Sequence, residues 1–237
     1  MSETFLLVHG AWHGGWCWGR VAPQLRAAGH EVHAPTMTGL SDRAHLLSPA
    51  VDLSTHIEDI VRYIDAWNLT DVVLVGHSYA GMVISGVVEA RPDAVRLRIH
   101  LDGFLPEHGD SAINLLPPVP GDSYREALPG PGFGWLIAPR SLAALGITEQ
   151  ADLDWLTPRL TPQPWATYSE EITLTEKAAS VKGAYIECVD WGRVFSAQAD
   201  RARAQGWPTF ELATGHEAMV TAPDELAALL LDIAATN

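Results

Sequence analysis

Basic residues are scarce in this chain: 15 lysines and arginines stand against 29 aspartates and glutamates, a formal net charge of −14 over 237 residues. The acidic excess is spread along the chain without forming a tail. It repels nucleic acid and anionic membrane surfaces, and neither is expected as a partner. Cysteine is nearly absent. Cys17 and Cys188 are the only two, too few for a disulfide framework or a metal site of their own, and neither lies in a CxxC; no metal and no cofactor are expected. Long apolar runs are missing as well. The first, Phe5 to Val8, is four residues, too short for a signal peptide or a membrane span, so a soluble cytoplasmic protein is the expectation. No internal repeat is present, which excludes a solenoid.

Apolar residues make up 47% of the chain, enough for one substantial core, and the length leaves little room for a second domain. Short apolar runs bounded by Gly, Pro or Asp read as strands at Phe5–Val8, Val32–Ala34, Val72–Val75, Arg98–Asp102, Ala184–Val189 and Thr209–Leu212. Between them, Gly19–Ala28, Ser54–Trp67, Tyr79–Ala90, Gln198–Gln205 and Pro223–Ala235 have helical spacing. Ser54 reads as an N-cap, and Ile57, Ile60, Val61 and Ile64 form one stripe. Strands that are apolar throughout and alternate with helices predict an α/β fold: a mostly parallel sheet covered on both faces. The rhythm breaks from Pro106 to Pro164, where ten of the sixteen prolines fall. This stretch reads as a lid inserted at about 106–178, with short helices at Leu142–Leu145 and Glu149–Leu156 giving it a small core.

The strand Val72–Val75 runs into Gly76-His77-Ser78-Tyr79-Ala80-Gly81 and then into a helix, the strand, sharp turn and helix of a nucleophile elbow with Ser78 at its tip. A serine hydroxyl needs a base, and on this layout the base comes last in the chain. Of the histidines after Ser78, His100 lies inside a strand and His108 opens the insertion. His216 sits just past the strand Thr209–Leu212, at the same sheet edge as Ser78. The orienting acid must end a strand on that edge. Asp190, directly before the strand that delivers His216, is favoured, with Asp102 as the alternative. Backbone donors for a developing oxyanion are expected at Tyr79, immediately after the nucleophile, and at Ala11, in the glycine-dense loop His9 to Trp16. His9 and His13 read as braces of that loop. Phe104 and Trp135 are candidates for the substrate wall.

Four segments carry a family resemblance: Phe5-Leu6-Leu7-Val8-His9-Gly10-Ala11-Trp12-His13-Gly14-Gly15-Trp16, Val75-Gly76-His77-Ser78-Tyr79-Ala80-Gly81-Met82, Ile186-Glu187-Cys188-Val189-Asp190 and Gly215-His216-Glu217-Ala218-Met219. They resemble the α/β-hydrolase family that contains plant methylesterases, salicylate-binding esterases, hydroxynitrile lyases and bacterial relatives. The resemblance implies an α/β-hydrolase fold and the triad Ser78, Asp190 and His216. Lyases of that family tend to carry threonine where Gly10 stands and lysine where Glu217 stands. Both are absent, and an acidic side chain at 217, if it faced the pocket, would repel an anionic leaving group.

The expected function is hydrolysis of a small carboxylic ester, an aryl or alkyl methyl ester, through an acyl-enzyme. Two other readings use the same fold: a lyase, lactone-opening or cyclisation enzyme of a biosynthetic pathway, and a small-molecule-binding protein without turnover. Oligomeric state, a homodimer included, is left open.

Overall fold

The computed structural model describes residues 2–117 and 134–236; the part of the expected insertion from 118 to 133 lies outside them. Six strands form one sheet in the order β2-β1-β3-β4-β7-β8, and every pair is parallel. They are β1 (Thr4–Val8), β2 (Glu31–His33), β3 (Val72–His77), β4 (Val95–Leu101), β7 (Lys182–Cys188) and β8 (Thr209–Leu212). Side chains alternate across a strand, so an apolar run fills two cores at once. In β1, Leu6 and Val8 join Ile60, Ile64, Leu74 and Val83 on one face. Phe5 and Leu7 join Trp18, Leu25, Val75, Leu226 and Leu230 on the other.

Helix α1 (Ala22–Ala27) and the C-terminal helix Pro223–Thr236 cover the second face, and α2 (Leu53–Trp67) and α3 (Ala80–Ala90) cover the first. The N-cap of α2 is Asp52, not Ser54. Asp52 accepts from the Thr55 amide, and the Thr55 side chain answers to the Asp52 amide in a reciprocal capping box, a cap worth about 1 kcal/mol. Ser54 sits inside the helix and bonds Glu170. No helix among the described residues is long and apolar enough to cross a membrane.

The chain leaves β1 toward β2 and returns on the other side to β3, so the order reverses between β1 and β3. In open α/β sheets, ligands collect at the carboxyl ends of the strands beside such a reversal. The register puts those ends side by side: Val8 pairs with Gly76, His77 with Leu101, and Leu101 with Ile186. Between β4 and β7 come short helices, Gln150–Leu156 and Ala166–Ser169 among them, and a two-stranded antiparallel ribbon of β5 (Leu136–Ile137) and β6 (Gln163–Pro164). Trp12 ties this stretch to the loop after β1. Its amide donates to Gln163 Oε1, its indole N–H to the Ile137 carbonyl, and its own carbonyl accepts from the Thr161 amide.

Candidate active site

Ser78 follows β3 with φ of 55°, a left-handed conformation that a non-glycine residue adopts only under constraint. The constraint is visible. A Cβ on Gly76 would fall 2.8 Å from the Ala80 carbonyl oxygen, and one on Gly103 would fall 2.5 Å from that of Ser78, so the turn closes only because both positions lack a side chain. Ala80, where glycine is commoner, is fully buried.

Ser78 Oγ lies 2.9 Å from His216 Nε2, and His216 Nδ1 lies 2.7 Å from Asp102 Oδ2. The acid beside the base is thus Asp102, and the expectation of Asp190 is corrected. Asp102 follows Leu101, whose carbonyl accepts from the Ser78 amide, so register alone sets the carboxylate beside the serine. Its φ of 41° is, like that of Ser78, in the left-handed region. Asp190 lies two residues beyond the end of β7; its amide bonds the Thr214 carbonyl, and its side chain is exposed.

Asp102 is fully buried. Burial pushes its carboxyl up from the ordinary carboxylate value, and three donors oppose that shift: the His216 imidazole, the Cys188 amide at 3.2 Å and the Trp191 indole N–H at 2.8 Å. Trp191 does more than donate. Its ring lies 4.4 Å from that of His216, and Phe195 stacks at 5.5 Å. From behind, His77 Nε2 donates to the His216 carbonyl at 2.9 Å, with its ring 4.5 Å from the His216 ring. Burial, then the charge of His216, holds His77 well below the usual imidazole range, so it braces the base as a neutral ring. The Leu145 carbonyl accepts from the His216 amide, which fixes the base loop to the stretch between β4 and β7.

The amides of Ala11 and Tyr79 form no hydrogen bond among the described residues. Buried donors are seldom left unpaired, and an unpaired pair at a strand end is what an incoming oxyanion requires. His9 and His13 act as the expected braces. His9 donates through Nδ1 to the Gly10 carbonyl and accepts from the Met37 amide at Nε2, its pKa lowered to about 3 by burial. His13 donates to the Ala11 carbonyl at 2.7 Å. Glu217 is buried with its Oε2 3.4 Å from His13 Nε2, and it does not line the pocket. The repulsion of an anionic leaving group anticipated from it therefore does not apply.

His77, His216 and Glu217 bring possible ligand atoms within 4.8 Å of one another. Both ring nitrogens of His216 are already engaged, so the cluster could take an ion only by dismantling the serine–histidine–aspartate chain.

The cavity above Ser78 holds about 150 Å³ and is walled mainly by Trp12, Phe104, Tyr168, Trp191 and Phe195, with Arg140 the one cation among the described residues that line it. A dry cavity of about that volume accommodates a single benzene ring.

The model of the Alpha/beta hydrolase family matches residues 5–229. The chain belongs to the alpha/beta hydrolase family. It is 41% identical to the Carbendazim hydrolyzing esterase of Nocardioides sp. (strain SG-4G), over 94% of this chain and 96% of that one. It is 27% identical to Methylesterase 10 of Arabidopsis thaliana, over 98% and 91%. Among solved structures, an extracellular alpha/beta-hydrolase from a Paenibacillus species, described as sharing structural and functional homology with tobacco Salicylic Acid Binding Protein 2, superposes with a TM-score of 0.84 at 24% identity, covering 97% and 98% of the two chains. At that identity the likeness speaks for the fold.

In this alpha/beta hydrolase Ser78, His216 and Phe104, of the residues singled out from sequence, line the pocket, and Asp102, the alternative acid, lies against His216, while Tyr79 follows Ser78 directly in the chain. Asp190 and Trp135 are left out. Trp135 is half-buried beside the β5–β6 ribbon, its carbonyl accepting from the Trp165 amide, and it does not line the pocket. Sequence reasoning missed Trp191, Phe195, Tyr168 and Trp12 as walls. Trp191 adjoins Asp190 and Trp12 adjoins Ala11, so adjacency to a candidate was the one signal available. Tyr168 and Phe195 had none.

Proposed function

We infer that this carboxylic ester hydrolase works through an acyl-enzyme formed on Ser78. Ser78 Oγ attacks the ester carbonyl and passes its proton to His216 Nε2. Asp102, bonded to Nδ1, holds the reactive tautomer and stabilises the imidazolium. The Ala11 and Tyr79 amides receive the carbonyl oxygen as it becomes an oxyanion. Collapse expels the alcohol with the proton from His216, water then attacks the acyl group with His216 again as base, and the acid leaves. One observation carries this reading: a serine oxygen 2.9 Å from an imidazole whose other nitrogen lies 2.7 Å from a buried carboxylate.

The proposed substrates are methyl esters with a compact, single-ring acyl group. The cavity of about 150 Å³ and its aromatic walls support this, as does the name of the Arabidopsis relatives. The described residues of the insertion, about 106–117 and 134–178, act as a lid over the site, a role supported by Leu116, Arg140, Ala144, Leu145 and Tyr168 lining the pocket. Two free, buried cysteines fit a reducing compartment, and the cytoplasm is the proposed location.

Hydrolysis of a short chromogenic ester by the wild type and by Ser78→Ala is the test. The variant is expected to lose about 10⁴-fold or more in kcat/KM. Equal rates would remove Ser78 from the chemistry.

A further inference from the structure

A second concavity, sharing no lining residue with the first, lies beside Arg98 of β4 and holds about 670 Å³. Arg98, 6% exposed, is the single buried arginine among the described residues. Its Nε has no acceptor, and its guanidinium makes no hydrogen bond or ion pair with any described residue. Its one partner is the face of Trp207, 4.5 Å from Cζ. The chain carries nearly twice as many acidic as basic residues, and Arg20, Arg43, Arg96, Arg193, Arg201 and Arg203 each meet a carboxylate. Arg26 and Arg159 meet no carboxylate but each donates to a backbone carbonyl; the arginine least able to draw on water is the one with neither a hydrogen bond nor an ion pair among the described residues. Burial lowers its pKa to about 10, which still leaves it charged at neutral pH. An unpaired buried cation is costly, and a bound anion removes that cost.

The walls indicate what kind of anion. Leu105, Leu174 and Trp207 offer apolar surface, while Glu107 and Glu176 lie on the lining and are exposed to solvent. Two carboxylates beside the cleft repel a dianion such as phosphate more than a monoanion. A guanidinium receives a carboxylate through two parallel N–H donors. We propose that this cleft binds a small organic monocarboxylate, with its carboxylate on Arg98 and its apolar body against Trp207, Leu105 and Leu174. The inference does not depend on Ser78 being a nucleophile.

The test is calorimetric titration of benzoate into the wild type, Arg98→Met and Arg98→Lys, with inorganic phosphate as a second probe. Benzoate is expected to bind the wild type at least tenfold more tightly than Arg98→Met, with Arg98→Lys between them, and phosphate more weakly than benzoate. Without ligand, Arg98→Met should melt at the same temperature as the wild type or higher, because an uncompensated charge has been replaced by an apolar chain. Equal benzoate affinity in all three proteins, which includes binding confined to the Ser78 pocket, would overturn the proposal. So would no benzoate binding to the wild type, tighter binding of phosphate, or a lower unliganded melting temperature for Arg98→Met. Should Arg98→Met fail to fold, Arg98→Lys decides alone: unchanged benzoate affinity there rejects the two-donor contact.

Discussion

The ends of β4 and β7 are adjacent in the sheet and each is followed by an aspartate, yet the two carboxylates have opposite surroundings. Asp102 is fully buried, in hydrogen-bond contact with an imidazole, a backbone amide and an indole. Asp190 is exposed, and Trp191, the residue after it, turns inward to serve Asp102 instead. The acid's place is therefore defined by reach to the base and by exclusion of water, and either of two neighbouring strand ends can meet that requirement. The end of β7 still contributes, as a donor to the acid rather than as the acid.

The comparison breaks most sharply in Asp102→Asn. An amide at that position cannot hold His216 in the reactive tautomer, and kcat is expected to fall by about 10⁴-fold, measured on the chromogenic ester with folding checked by circular dichroism. A loss much smaller than this would mean that Asp190, or water, can replace it.

Acid should act next, through the histidines near the β3 and β4 ends. His100, two residues before Asp102, has its pKa lowered to about 3, and His77 lies well below its ordinary 6.5, burial being the first cause in both. Unfolded, both take up a proton near pH 6.5; folded, they do not. The stability they contribute is present above that pH and is lost as pH falls toward the folded value. Each contributes a slope of up to about 1.4 kcal/mol per pH unit below pH 6.5. Denaturant midpoints that stay flat from pH 7 to 5 would contradict the buried neutral state.

Trp191→Phe sharpens the comparison. It keeps an aromatic ring against His216 and removes one donor to the Asp102 carboxylate, a charge-assisted bond worth about 1.5–3 kcal/mol. The expected result is a fall in kcat of roughly 10- to 100-fold with KM little changed; a change confined to KM would make Trp191 a wall and nothing more. Asp190→Asn carries the smallest expected effect, less than about twofold in kcat, because an exposed side chain away from the pocket is lost.

Much of the fold was legible. The β1, β3 and β7 segments are apolar enough to read directly, and helices α2 and α3 announce themselves by periodicity. β4 extends to Val95, three residues before its expected start, because Arg96 interrupts the apolar pattern that marks a strand. Ser78 was found because glycine at 76 and a strand-to-helix switch are local signals. His216 was found because chain order left few candidates.

The amino-acid order by itself determined the alternation of strand and helix, the strained serine turn and the histidine that follows the last strand, since each depends on neighbours a few residues away. Only the tertiary structure decided which aspartate meets that histidine, which rings wall the pocket and which arginine is left unpaired. Those outcomes depend on strand register and on burial, and both are set by contacts between segments about a hundred residues apart, such as the one between Asp102 and His216.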